Sequence, residues 1–159
     1  MDSELTEQLA RLLRERTTAA LGTLRDGAPF VSMVPYAIPP DGSGFVVHVS
    51  KLAAHTRDML SDTRVSLLVT EAEGAGKPAQ ALARVSVQGT ARRVPSNSLD
   101  QSRLKAAYLA RFPEAAQLFA LSDFSIFQIR PVSARFVAGF GEARSLTAES
   151  LTGILQQQE

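Results

Sequence analysis

FVVHVSKLAAHTRDML, residues 45–60, combines a strand with the helix that follows it directly. Its first part, 45–50, is rich in the β-branched side chains that favour strands. Its second part, 51–60, has apolar residues at helical spacing, and another strand is predicted at 64–70. So short a helix between strands does not match the long, regular crossovers of a doubly wound parallel sheet. The stretch therefore favours a mostly antiparallel sheet.

The elements on either side agree with that interpretation. Residues 18–38 predict a β-hairpin, because Asp26-Gly27 is a strong tight-turn signal between two apolar segments. Two further strands are predicted at 81–94, with a bulge or bend at Gly89, and at 123–140. With six or seven strands and four helices, we predict one mainly β domain, a small antiparallel barrel with flanking helices. The predicted domain spans 1–159. It begins with a helix at about 4–16, capped by Ser3, and ends with a helix at about 147–157. The barrel lies between them, at about 17–143, and includes a further helix at 98–112.

Composition bounds the function. The chain has 159 residues, 45% hydrophobic and 21% charged, enough for one domain with a substantial core. Its net charge of +1 does not favour nucleic acid or an anionic membrane as a partner. It has no Cys and only two His, which excludes thiol chemistry, Cys-ligated metals and a multi-His metal site within one chain. No apolar run suits a membrane span and the N-terminus is unlike a signal peptide, so we expect a cytoplasmic protein.

The segment 48–57, HVSKLAAHTR, is a candidate phosphate site. A helix N-terminus offers free backbone N–H groups and a partial positive charge, and here Ser50, His55 and Thr56 accompany it. The alternative is a capped surface helix whose basic residues are solvated. Arg84, within an apolar strand, needs either an anion such as this phosphate or an outward, solvated position.

Two other features have alternatives of the same kind. His48, taken alone, is more often a hydrogen-bonded barrel residue than a ligand. Four phenylalanines lie on the segment 123–140, and such a stripe is either core or a dimer interface. The apolar content of that segment beside the strand at 29–38 predicts a homodimer, because a two-fold interface would bury the uncovered strand faces.

Several stretches together resemble the FMN-binding split-barrel family of pyridoxamine 5′-phosphate oxidase, and within it the heme-iron utilisation branch. They follow one another in order over about 17–145, and the branch-specific pieces are VPYA, the S-x-L-A-x-HTR segment, RFPEA and GFG-x-A. The stretches are ALGTLRDGAPFVSMVPYA (20–37), HVSKLAAHTRDML (48–60), DTRVSLLV (62–69), ARVSVQGTA (83–91), YLARFPEA (108–115) and DFSIFQIRPVSARFVAGFGEA (123–143).

The resemblance implies a six-stranded antiparallel split barrel that forms a homodimer and binds FMN at the subunit interface. The phosphate would be held by the strand-to-helix segment, the flavin ring would lie along the second strand, and the ribityl chain would pass between them. Carried onto this chain, the phosphate residues are Ser50, His55, Thr56 and Arg84, the ring-side residues are Ser32, Met33, Val34 and Tyr36, and the ribityl neighbours are His48 and Val49.

The resemblance favours a flavin-dependent oxidoreductase acting on an unknown small molecule. The alternatives are a heme-binding or heme-iron utilisation protein and a dimeric barrel without a cofactor. Heme-binding members carry an iron-ligating His just after GFG-x-A, where this chain has Arg144. A guanidinium has no lone pair for iron at neutral pH. Since both imidazoles fall in the proposed flavin segment, the sequence predicts no histidine ligand to iron and no other metal site.

Overall fold

The computed structural model describes residues 1–157, and Gln158 and Glu159 lie outside it. Within that range the chain forms seven strands, four α-helices and two 3-10 helices. The strands are β1 (Thr18–Arg25), β2 (Ala28–Pro35), β3 (Phe45–Ser50), β4 (Arg64–Thr70), β5 (Arg84–Arg93), β6 (Phe124–Gly139) and β7 (Glu142–Thr147). The helices are α1 (Ser3–Glu15), α2 (Ala54–Ser61), α3 (Leu99–Arg111) and α4 (Ala148–Leu155), with 3-10 helices at Ala79–Ala81 and Pro113–Ala120.

All strand pairs are antiparallel, in the order β2-β1-β4-β5-β6-β3, and β7 pairs with β6. An isolated bridge between Ala37 and Val46 joins the chain beyond β2 to β3, so the two ends of the sheet almost meet. The sheet therefore curls into a split barrel, and the predicted class is confirmed. The sheet has seven strands where the resemblance implied six, because 142–147 pairs with β6 as an extra strand.

Two hydrophobic clusters pack on opposite sides of β3. Because side chains alternate along β3, Phe45, Val47 and Val49 lie in the barrel interior. Helices α1 and α4 bury their apolar faces in the same interior. The β3 residues between those three face outward, and Val46 joins a second cluster with Leu104 of α3. The direction in which a β3 side chain points therefore decides which of two environments it enters.

Local signals account for several boundaries. Asp26 and Gly27 both have positive φ, 52° and 80°, as the predicted hairpin turn requires. The strand register shifts between Gln88 and Gly89, which confirms the predicted bulge. The cap of α1 is Asp2 in place of the expected Ser3, because the Asp2 carboxylate accepts the N–H of Leu5.

The helix predicted at 51–60 begins later, at Ala54. Residues 51–53 form a turn in which the N–H of Leu52 donates to Ser50 Oγ at 3.1 Å. The hydroxyl thus stabilises the turn, and the helix cap at Ala53 has no side-chain hydrogen bond.

Candidate functional site

Two of the residues that sequence analysis selected meet between α2 and the edge strand β2. Ser32 of β2 and His55 of α2 are both half-buried, and Ser32 Oγ lies 3.1 Å from His55 Nδ1. Strand β2 is fully paired with β1 on one side, which fixes the backbone of Ser32. The structure therefore brings a predicted ring-side residue into contact with a predicted phosphate residue.

A buried carboxylate lies one turn along α2 from His55. Asp58 is 5% exposed, and its carboxylate accepts a hydrogen bond of 2.7 Å from Thr23 Oγ1 and others from the Arg25 guanidinium. The Arg25 hydrogen bond is the largest factor holding the pKa of Asp58 below its ordinary value. The guanidinium in turn lies 3.8 Å from the centre of the Phe30 ring. We call Thr23, Arg25, Phe30 and Asp58 the Asp58 cluster.

The Asp58 cluster also acts on His55. Burial lowers the pKa of His55, while the charge of Asp58 acts in the opposite direction. The imidazole is therefore neutral at neutral pH. Sequence analysis missed this cluster, although the three-residue spacing from His55 to Asp58 places both on one helix face.

We expect Asp58→Asn to lower the free energy of unfolding by about 2 kcal/mol at pH 7, since it weakens charge-assisted hydrogen bonds to a buried acceptor. The native pKa of Asp58 is depressed, so this contribution is present at neutral pH and is lost as the pH falls below about 4. Urea unfolding at pH 7 and at lower pH measures it. The control is Asp62→Asn, whose Arg64 partner is 76% exposed and which should change little. An equal loss in both variants, or one that persists in acid, would contradict this role.

The other predicted phosphate residues are engaged within the chain. Thr56 is 1% exposed and its Oγ1 donates to the Ser50 carbonyl at 2.6 Å. The Ser50 hydroxyl donates to the Asp123 carboxylate at 3.1 Å. Arg84 donates to the carbonyls of Gln80 and Leu82, and no hydrogen bond joins it to the other predicted phosphate residues in the described chain. Their phosphate contacts remain predictions.

The predicted ring-side residues of the second strand divide between core and surface. Val34 and Tyr36 are buried in the barrel core, and the Tyr36 hydroxyl donates to the Leu13 carbonyl at 2.9 Å. Burial raises the pKa of Tyr36 to about 12, so it stays protonated. Met33 is 64% exposed. Ser32 and Met33 are therefore the two of this set that a ligand would reach directly.

His48 and Val49 lie on opposite faces of β3. Val49 belongs to the barrel core, whereas the His48 ring stacks on Phe119 with centroids 3.7 Å apart and planes at 5°. Desolvation is the largest factor lowering the pKa of His48 to about 4, and its Nδ1 has no hydrogen-bond partner in the described chain. The structure thus separates His48 from Ser32 and His55.

An apolar groove runs along the outer face of the barrel from the Asp58 cluster. Its volume is about 500 Å³, within the range of small-molecule sites. Thr23 and Phe30 lie at its junction with the cluster, and Val31, 67% exposed, forms part of its wall. No sequence signal marked the groove, because five strands contribute to it and most of them are distant from one another along the chain.

Residues 1–157 contain neither a metal-binding group of side chains nor a membrane-spanning helix. No three His, Asp or Glu side chains of this range are grouped so that they could hold a metal ion. No helix of the same range has the length and apolar character needed to cross a membrane.

Comparisons with known proteins agree with the fold. The family model described as pyridoxamine 5′-phosphate oxidase matches residues 5–138. The heme oxygenase HutZ of Vibrio cholerae is 28% identical over 161 aligned residues, which cover 100% of this chain and 90% of that protein. The chloroplastic heme oxygenase HOZ of Arabidopsis thaliana is 36% identical over 119 residues, 74% of this chain but only 34% of its own length.

A solved structure of a heme-binding protein from Mycobacterium smegmatis superimposes with a TM-score of 0.84 at 28% identity. The match covers 96% of this chain and 62% of that protein. Because the family model matches most of the sequence and the split barrel is present, the chain belongs to the pyridoxamine 5′-phosphate oxidase family.

Proposed function

We propose that this protein binds heme, between the two copies of a homodimer, in the groove that begins at the Asp58 cluster. The observation that carries the proposal is the apolar groove itself, whose Val31 wall is open to solvent. A porphyrin has two large apolar faces, and burying them is the main favourable contribution to its binding. The heme-related relatives support the same ligand.

The groove suits the apolar faces of a heme, and no His, Met, Tyr or Cys side chain is among its lining residues. Arg144 offers iron no lone pair, and the His48 ring stacks on Phe119 beside a separate cavity. His55 is half-buried in contact with Ser32 and is not among the residues that line the groove. Heme would supply an iron centre able to bind a further small ligand, while the chain's own part is to bind and orient it.

FMN is the second candidate, and family membership supports it. The α2 cap has no side-chain bond, and the N–H groups of Ala54 and His55 make no hydrogen bond within residues 1–157, so these two could donate to a phosphate. On this proposal the protein would be the flavin-dependent oxidoreductase expected from the sequence. The internal hydrogen bond of Thr56 and the carbonyl contacts of Arg84 leave this phosphate site short of the donors expected there.

We expect purified protein to bind hemin with a Kd of about 1 μM or tighter, and FMN at least about tenfold more weakly. Titration followed by the Soret band and by flavin fluorescence compares the two ligands on the same preparation. Riboflavin is the control for FMN, since it lacks the phosphate. Tighter binding of FMN than of hemin, with riboflavin clearly weaker, would overturn the heme proposal and favour the flavin one.

A further inference from the structure

A second cavity, which we call the His48 cavity, lies apart from the groove that begins at the Asp58 cluster. Its volume is about 350 Å³, within the range of small-molecule sites. His48 contributes to it from β3, Gln101 from α3 and Phe119 from the 3-10 helix Pro113–Ala120. Among residues 1–157, none lines both this cavity and the groove. The His48 cavity therefore has room for a ligand of its own.

The lining of the His48 cavity is mixed in polarity. Five of its residues are apolar, and Phe119 and Phe124 are the aromatic ones among them. The other six are polar, namely His48, Ser96, Asn97, Gln101, Ser122 and Ser125. None of these six side chains makes a hydrogen bond within residues 1–157. Their hydroxyl, amide and imidazole groups are therefore free to bind a ligand.

His48 is the buried polar group of this lining. The residue is 8% exposed, and its ring stacks on Phe119 with centroids 3.7 Å apart. Its Nδ1 is buried without a partner in the described chain, an arrangement that costs free energy. Burial, together with the positive charge of Lys105, lowers the pKa of His48 to about 4, so the ring is neutral at neutral pH. A molecule in the cavity would give this imidazole a hydrogen bond that the chain does not provide.

The lining suits an uncharged ligand with apolar faces and a polar edge. None of its residues carries a formal charge at neutral pH, so an ionised ligand would lose hydration without gaining an opposite charge. A polyol has hydroxyl groups all around its ring and would place some of them against the apolar walls. A planar heterocycle would instead turn its faces to the apolar side chains and its edge to the amides of Asn97 and Gln101.

We propose that the His48 cavity binds a small, uncharged, planar heterocycle with N–H and carbonyl groups on its edge, of the kind found in pyrimidine bases. His48 and Gln101 are the residues that hydrogen-bond that edge. This site lies beyond the proposed heme function and does not depend on it, because the cavity and the groove have no lining residue in common.

Uracil is the probe, titrated into the full chain and followed by NMR chemical-shift changes. We expect saturable binding with a Kd of about 0.1 mM, in keeping with the size of the molecule. His48→Phe keeps an aromatic ring against Phe119 but removes both nitrogens, and it should weaken uracil binding by at least about tenfold. Orotate, which adds a carboxylate to the same ring, and glucose, an uncharged polyol, should each bind at least about tenfold more weakly than uracil.

A second variant keeps the test decisive if His48→Phe does not fold. Gln101→Leu removes an amide from the lining at similar side-chain size and should weaken uracil binding by about tenfold. Gln117→Leu is its matched control, since Gln117 is exposed and outside the lining, and it should leave uracil binding unchanged. Equal losses in the two glutamine variants overturn the assignment, as does unchanged binding in Gln101→Leu or in a folded His48→Phe. Orotate or glucose binding as tightly as uracil, or no saturable uracil binding to the unmodified chain, overturns it as well.

Discussion

Gly44→Ala is expected to lower the free energy of unfolding by about 4 kcal/mol, from strain and overpacking together. Gly44 has a φ of 137°, a region that other residues rarely adopt. An added Cβ would also collide with the backbone carbonyl oxygen of Ile129 and lie 3.3 Å from Pro131 Cδ. Phe45 pairs with Ile129 in the sheet, so the backbone is not free to move away.

Thermal and urea unfolding measure this effect, and the melting temperature should fall by roughly 12 °C. Gly76→Ala is the matched control. Gly76 also has a positive φ, 78°, but no atom lies within 4 Å of its added Cβ. It should cost only about 1 kcal/mol, the conformational part alone. Similar losses in the two variants would show that the approach of Gly44 to β6 is looser than the structure indicates.

Val31→Asp is expected to convert the proposed homodimer to monomers, raising its dissociation constant by at least about 100-fold. The edge strand β2 presents Val31 and Met33, 67% and 64% exposed, on the outer face beside the groove. A second copy of the chain would bury them, and a carboxylate placed there would lose its hydration without gaining a partner.

Sedimentation velocity across a micromolar concentration series measures the dimer. Leu99→Asp is the control, since Leu99 is 92% exposed on α3, away from the outer face of β2. It adds the same charge in place of an apolar side chain and should leave the dimer intact. A monomeric unmodified chain, or equal weakening by both variants, would rule out this face as the interface.

The local rules of the chain were sufficient for most elements. Alternation predicted β5, where Val85, Val87 and Ala91 are buried while their neighbours are not. The Asp26-Gly27 turn predicted the first hairpin because both residues tolerate positive φ. The predicted ends of helices differ from the observed ones where a side chain makes a local hydrogen bond that the pattern does not show. The Ser50 hydroxyl, for example, holds a turn at 51–53 and delays the start of α2.

The candidate site was predicted only in part. The segment containing Ser50 and His55 is where the structure has its strand-to-helix junction, and Ser32 was selected as well. The family resemblance also implied that His48 lies beside the ribityl chain at the same site. Since alternate residues of a strand face opposite sides, His48 enters the second cluster while Val49 enters the barrel core.

Sequence pattern alone was enough for the element types, the antiparallel class and the tight turns, because each depends on neighbours a few residues apart. Which polar groups that are distant along the chain form hydrogen bonds with each other was decided by the tertiary structure. Ser32 meets His55 across 23 positions, and Thr23 meets Asp58 across 35. These contacts exist because the sheet order makes β2 an edge strand and α2 packs against β1, its neighbour. No local propensity contains that information, since the same residues in another strand order would face other partners or water.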